Sequence, residues 1–212
     1  MKKILISMVG LIFVAGLVPA RAGQVSFGGT VSNGKLRSFY LSISDYYRVP
    51  EPELLSLRER YRLREEELPV VLFLAARARV APAVIMGLRI RGRSWLDISF
   101  HFGFNPDIFY VPVGIARIGP PYGNAYGYFK KYRPNREWRK IVLTDREVVD
   151  LVNLRFMSDY HRIAPEAVMA RRARGEVFLS INDEMGKANG RAKWRGDKGS
   201  QALKDNGKGK RK

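Results

Sequence analysis

Three segments of the chain spell one pattern, and an internal repeat constrains the fold more than any other feature it has. The first segment is Ser44-Asp45-Tyr46-Tyr47-Arg48-Val49-Pro50-Glu51-Pro52-Glu53-Leu54-Leu55. The third is Ser158-Asp159-Tyr160-His161-Arg162-Ile163-Ala164-Pro165-Glu166-Ala167-Val168-Met169, and the second runs Arg79-Val80-Ala81-Pro82-Ala83-Val84-Ile85-Met86. Each reads Arg, then Val or Ile, then a Pro-containing turn and two apolar residues. Each continues to Arg58, Arg89 or Arg172, and then to Arg60, Arg91 or Arg174. Copies two and three stay in step further: Gly92 matches Gly175, Trp95 matches Phe178 and Ile98 matches Ile181. In copy one Tyr61 stands in place of the Gly, and the register slips by about one residue before Leu68.

The physical reading of each copy is an αα-hairpin. Pro82 or Pro165 opens a helix at the position where its missing N–H has no helical partner. Gly92 or Gly175 then takes the C′ position, where a positive φ is cheap without a Cβ. Ser94 with Asp97 has capping-box spacing for a second helix through Phe102. In copy one Glu65, Glu66 and Glu67 occupy that helix start, where the macrodipole favours negative charge. One hairpin cannot bury its own apolar stripe, so the copies must pack together. Thr144 and Glu147 predict another capped helix with a broad apolar face, and Leu68 to Ala78 should be the most buried helix. The fold class that follows is mainly α, with three degenerate hairpin repeats at 44–104 and 144–186 around one core.

Between copies two and three, residues 105–143 hold five prolines and the run Gly119-Pro120-Pro121-Tyr122-Gly123. Such density argues against a long helix, and Val111 to Ile118 reads as a short strand. Residues 23–43 read as a loosely ordered N-terminal segment, with Val25-Ser26-Phe27 at most a short strand. Residues 187–212 carry ten basic against two acidic side chains and few large apolar ones. That composition cannot offset the entropy of ordering and predicts a disordered tail.

Residues 1–22 read as a cleavable secretory signal. Lys2 and Lys3 precede an apolar run, Ile4 to Val18, and Ala20-Arg21-Ala22 supplies a small-x-small cleavage site. The run is shorter than the roughly 20 residues of a membrane-spanning helix; left uncleaved, it would be an anchor. The protein is therefore expected to be exported, periplasmic or extracellular, with no transmembrane span after cleavage. The chain has no cysteine, which excludes disulfides, thiol catalysis, Cys-based zinc sites and c-type haem attachment. Net charge is +18, so anionic partners are favoured.

Catalytic hardware is sparse. His101 and His161 are the two histidines, and neither sits in a metal-binding spacing. Ser94, Asp97 and His101 lie close in sequence, but capping explains the first two. No phosphate-cradling glycine loop follows a strand, so no cofactor, no metal and no enzymatic activity are expected. Two groups remain. Arg58, Arg60, Arg89, Arg91, Arg172 and Arg174 recur at one position, which suits either phosphates along a polymer or the capping of helix C-termini. Tyr122, Tyr126, Tyr128, Phe129, Lys130, Lys131 and Tyr132, with Arg133, mix aromatic and basic side chains. That mix suits stacking on rings with anion contacts, or a plain lid over the hairpins.

Pro82 to Gly103, with Arg89-Ile90-Arg91-Gly92-Arg93-Ser94-Trp95-Leu96-Asp97-Ile98, resembles the helix-turn-helix of sigma-factor type regulators, which would imply DNA binding. More of the chain, residues 40–186, resembles small exported bacterial proteins without a known role. Leu68-Pro69-Val70-Val71, Phe109-Tyr110-Val111-Pro112, Val152-Asn153-Leu154-Arg155-Phe156 and Ile181-Asn182-Asp183-Glu184 carry that likeness, which implies architecture and location only. The expected role is a non-catalytic binding or scaffold protein of the bacterial envelope that meets an anionic polymer, a membrane surface or an envelope protein. Nucleic-acid binding through the hairpins is the second choice. An enzyme working through Asp97, His101, Asp107 or Glu184 is the third.

Overall fold

The computed structural model describes residues 30–133 and 137–188, which form nine α-helices and no strand. They are α1 (Thr30–Tyr47), α2 (Glu51–Tyr61), α3 (Leu68–Ala78), α4 (Pro82–Ile90), α5 (Trp95–His101), α6 (Gly123–Tyr132), α7 (Asp145–His161), α8 (Pro165–Ala173) and α9 (178–188). The mainly α class is thus the observed one. The expected leader (1–22) and nearly all of the expected basic tail lie outside the described residues.

The core is built on α3 and α7. Leu68 through Ala75 are all buried, because neighbours cover α3 on every side. On α7 the run Val148 to Leu154 is buried too, as are Phe156 and Met157. Helix α4 lies along α3, α8 lies along α7, and α1 leans on α2, α3 and α7. Phe39 and Tyr46 of α1 meet Phe156 at ring-centroid distances of 6.0 and 5.2 Å, close enough for edge and tilted aromatic contact.

Local chemistry sets the helix boundaries. Ser94 accepts from the Asp97 amide while Asp97 accepts from the Ser94 amide, and Thr144 with Glu147 does the same. Each box satisfies two amides that a helix start leaves orphaned. Gly92 and Gly175 adopt φ of 80° and 86° at the ends of α4 and α8. Arginine takes the same conformation at Arg48, Arg62, Arg79 and Arg162, with φ between 51° and 58°. At each of these six ends the next amide donates back to a carbonyl five residues earlier, as Val80 does to Ala75 and Arg93 to Leu88. Arg48, Arg79 and Arg162 are the arginines that open the three similar segments. Arg62 ends α2 four residues after Arg58, whereas Gly92 and Gly175 stand three residues after Arg89 and Arg172.

Two expectations fail. Of residues 23–43, expected to be loosely ordered, 23–29 with the short strand at Val25 to Phe27 lie outside the described residues, but from Thr30 on α1 puts Phe39, Tyr40 and Ile43 in the core. Gly34 and several Ser and Asn residues give α1 poor intrinsic helix propensity; its apolar stripe onto the other helices overrides that. The strand expected at Val111 to Ile118 is absent as well. That stretch is an irregular loop, and the supposed loop after it contains α6. Pro120 and Pro121 both precede α6, so neither interrupts it.

Candidate functional site

The repeated arginines divide into two sets. The inner set turns inward. Arg89 Nη1 reaches Asp145 at 2.6 Å, its guanidinium stacks 4.4 Å from the Trp95 ring, and it donates to the Arg93 carbonyl. Arg172 reaches Asp150 at 2.9 Å, stacks 4.4 Å from Phe178 and donates to the Glu176 carbonyl. Trp95 and Phe178 occupy matching positions, so two arginines make the same three contacts in two places. Arg58 pairs with Glu65 at 3.0 Å. These three side chains close helix ends and carry little charge to a partner. In the outer set, Arg60 and Arg91 are exposed without an ion pair among the described residues, and exposed Arg174 pairs with Glu176. The six sites do not form one anion-binding track of equivalent, free cations.

The aromatic group is divided too. Tyr122, Tyr126 and Phe129 are buried on the inner face of α6. The Tyr126 hydroxyl donates to the Val111 carbonyl at 2.5 Å, and burial pushes its pKa far above the ordinary tyrosine range. Tyr128 and Tyr132 stack in parallel, half-buried, while Lys130 and Lys131 are exposed. Tyr128 and Lys131 face a shallow hollow toward Thr144, on another side of the helix.

Tyr126, Phe129 and Lys130 instead share a cleft of about 660 Å³ between α6 and the loop Val111 to Ile118. Tyr110 and Ile118 complete an apolar floor, and Arg117, Lys130 and Arg133 stand around it. The Arg133 guanidinium lies 3.6 Å over the Tyr110 ring. No carboxylate lines the cleft, and none of its three cations has an ion-pair partner among the described residues. Its volume falls within the roughly 300–1,000 Å³ of small-molecule sites.

The loop wall is held from three sides. Arg155 of α7 donates to the carbonyls of Ile108 and Tyr110 at 3.0 and 2.7 Å. Tyr126 ties Val111, and the Glu166 carboxylate accepts from the Gly114 amide. That amide holds the Glu166 carboxyl below its ordinary pKa. The wall is therefore in place before anything binds.

Sequence reasoning missed Tyr110, Arg117 and Gly127. A signal existed: Gly123, Tyr126, Gly127 and Lys130 recur at helical spacing, and the surrounding Gly and Pro concealed it.

The residues weighed for catalysis do not converge on this cleft. Asp97 is held in the α5 capping box, His101 packs on Phe102, and Glu184 pairs with Arg171. The hairpin that resembles a helix-turn-helix buries Trp95, Leu96, Ile98 and Ser99 of its second helix, leaving Asp97, Phe100 and His101 outward. The outward face of that second helix carries no arginine or lysine; the hairpin's exposed cations, Arg91 and Arg93, stand in the turn before it. No family model, no curated protein and no solved structure matches the chain.

Proposed function

We propose that the protein is an exported, non-catalytic binding protein of the bacterial envelope that engages an anionic partner through the cleft between α6 and the Val111 to Ile118 loop. The observation that carries this reading is the contrast in charge pairing. The inner repeat arginines spend their charge on Glu65, Asp145 and Asp150, whereas Arg117, Lys130 and Arg133 face a common cleft without an ion-pair partner among the described residues. Unneutralised cations around a partly apolar cleft attract an anion more strongly than cations already paired with acids. The leader-like N-terminus supports an envelope address. Among the described residues no single helix is long and apolar enough to cross a membrane.

Co-sedimentation of the 23–212 chain with vesicles tests the reading. Vesicles containing anionic phospholipid should retain the protein at low salt, and purely zwitterionic vesicles should not. A chain lacking 189–212 should keep a preference for the anionic vesicles, since the cleft remains. Equal retention on both vesicle types, or loss of all preference with the tail, would overturn it.

A further inference from the structure

Helix α6 carries a glycine that its own packing does not require. Gly127 sits in the middle of the helix, is exposed, and lines the cleft. A Cβ added there would meet nothing within 4 Å, and its φ is not left-handed. Glycine at such a place is markedly less favourable in a helix than alanine. Gly123, one turn earlier, differs: its Cβ would come within 3.0 Å of the Ile118 carbonyl, so that glycine lets helix and loop approach. What the missing side chain at Gly127 does preserve is open space where the helix borders both the cleft and the hollow toward Thr144.

The walls of that space are mixed. Val113, Ile115 and Ile118 supply aliphatic surface, and Tyr110, Tyr126 and Phe129 supply aromatic surface. Ile115, which also lines the cleft, is 42 % exposed. Arg117 stands two residues along the same loop, and Lys130 of α6 and Arg133 just past its end complete the lining. One region thus offers apolar contact along its length and cations around it. A small hydrophilic anion would use only the cations, and a neutral apolar molecule only the walls.

We infer that the cleft binds a single-chain anionic amphiphile, with the acyl chain over Ile118, Tyr126 and Gly127 and the charged head against Arg117, Lys130 and Arg133. This rests on the anionic-partner reading above and adds the apolar half of the ligand. The charge complement argues for the head group, and the aliphatic loop wall with exposed Ile115 argues for the chain. Binding needs no rearrangement of the wall, because Arg155, Tyr126 and Glu166 already hold it.

The test is calorimetric titration of the 23–212 chain with dodecyl phosphate below its micelle concentration. Dodecyl maltoside carries the chain without the charge, and inorganic phosphate carries the charge without the chain. Dodecyl phosphate should bind saturably at one site, roughly tenfold or more tighter than either control. Gly127→Leu should abolish this binding while leaving the melting temperature unchanged or raised, because leucine fills the space and favours the helix. Lys130→Gln, at an exposed position, should weaken dodecyl phosphate and leave the maltoside unaffected. Equal affinity for dodecyl phosphate and phosphate, or unaltered binding by a folded Gly127→Leu protein, overturns the inference. Retention on anionic vesicles without dodecyl phosphate binding would sink the amphiphile site alone and leave the anionic-partner reading standing.

Discussion

Arg172 donates to Asp150 across 2.9 Å with both side chains buried, and this pair fastens α8 to α7. Arg146 reaches the other Asp150 oxygen at 3.2 Å. A buried charge that loses its partner keeps its desolvation penalty and gains nothing in return. Asp150→Ala should therefore destabilise the protein by about 3–5 kcal/mol, measured by urea denaturation. Asp150→Leu combined with Arg172→Met removes both charges and should recover most of that loss. A double variant as unstable as the single one would show that the ion pair is not the cause.

The left-handed arginines predict a gain. At Arg79 the backbone sits at φ 55°, and its side chain is exposed without an ion pair among the described residues. An L-residue costs roughly 1–2 kcal/mol in this conformation, and glycine's extra unfolded-state freedom offsets part of the relief. Arg79→Gly should raise stability by about 0.5–1 kcal/mol, read as a higher urea midpoint at unchanged slope. A lower midpoint would mean that the arginine side chain contributes more than its backbone costs.

Glu166 should hold the loop wall of the cleft. In Glu166→Ala the Gly114 amide loses its acceptor, and its hydrogen exchange should speed up while the core amides of α3 and α7 stay protected. The wild-type carboxyl titrates below its ordinary value of 4.5, so its contribution is complete at neutral pH and is lost as pH falls through that depressed value. Unchanged protection at Gly114 in the variant would remove the tether from the account.

His161 has the opposite charge chemistry and the same direction of effect. Its Nε2 lies 3.0 Å from Asn182 Oδ1, and burial holds the imidazole pKa below 6.5, with the Asn182 contact partly opposing. The folded state therefore favours the neutral ring. Above 6.5 neither state gains a proton and stability is full; below it the unfolded chain takes up a proton first. Stability should decline as pH falls from 6.5 toward 5, by at most about 1.4 kcal/mol per pH unit from this residue. His161→Gln should flatten that segment of the stability curve, and an unchanged slope would assign it to other groups.

These elements also show where sequence was informative. The caps at Ser94 and Thr144, the prolines opening α4 and α8, and the glycines ending them are local devices, so a few adjacent residues disclose them. Arg48, Arg62, Arg79 and Arg162 end helices in a conformation for which arginine has no preference, so nothing about the residue type announced it. The inner arginines were visible as a recurring pattern, but two of their acids lie far along the chain, Asp145 from Arg89 and Asp150 from Arg172. The pattern alone therefore left capping and anion binding both open. The aromatic segment was legible as unusual and misread in conformation. The facing side of the cleft comes from the loop before it, which Tyr126 of α6, Arg155 of α7 and Glu166 of α8 hold in place.

Two charge-matched triple variants test the central claim, that binding resides in the cleft and not in the repeated arginines. One carries Arg117→Gln, Lys130→Gln and Arg133→Gln; the other carries Arg60→Gln, Arg91→Gln and Arg174→Gln. Each removes three positive charges, so any difference reflects position and not net charge. The measurement is retention on anionic vesicles across a salt series. The account predicts that the cleft variant loses most of its retention and the repeat variant stays close to wild type. Equal losses, or a greater loss in the repeat variant, would contradict it.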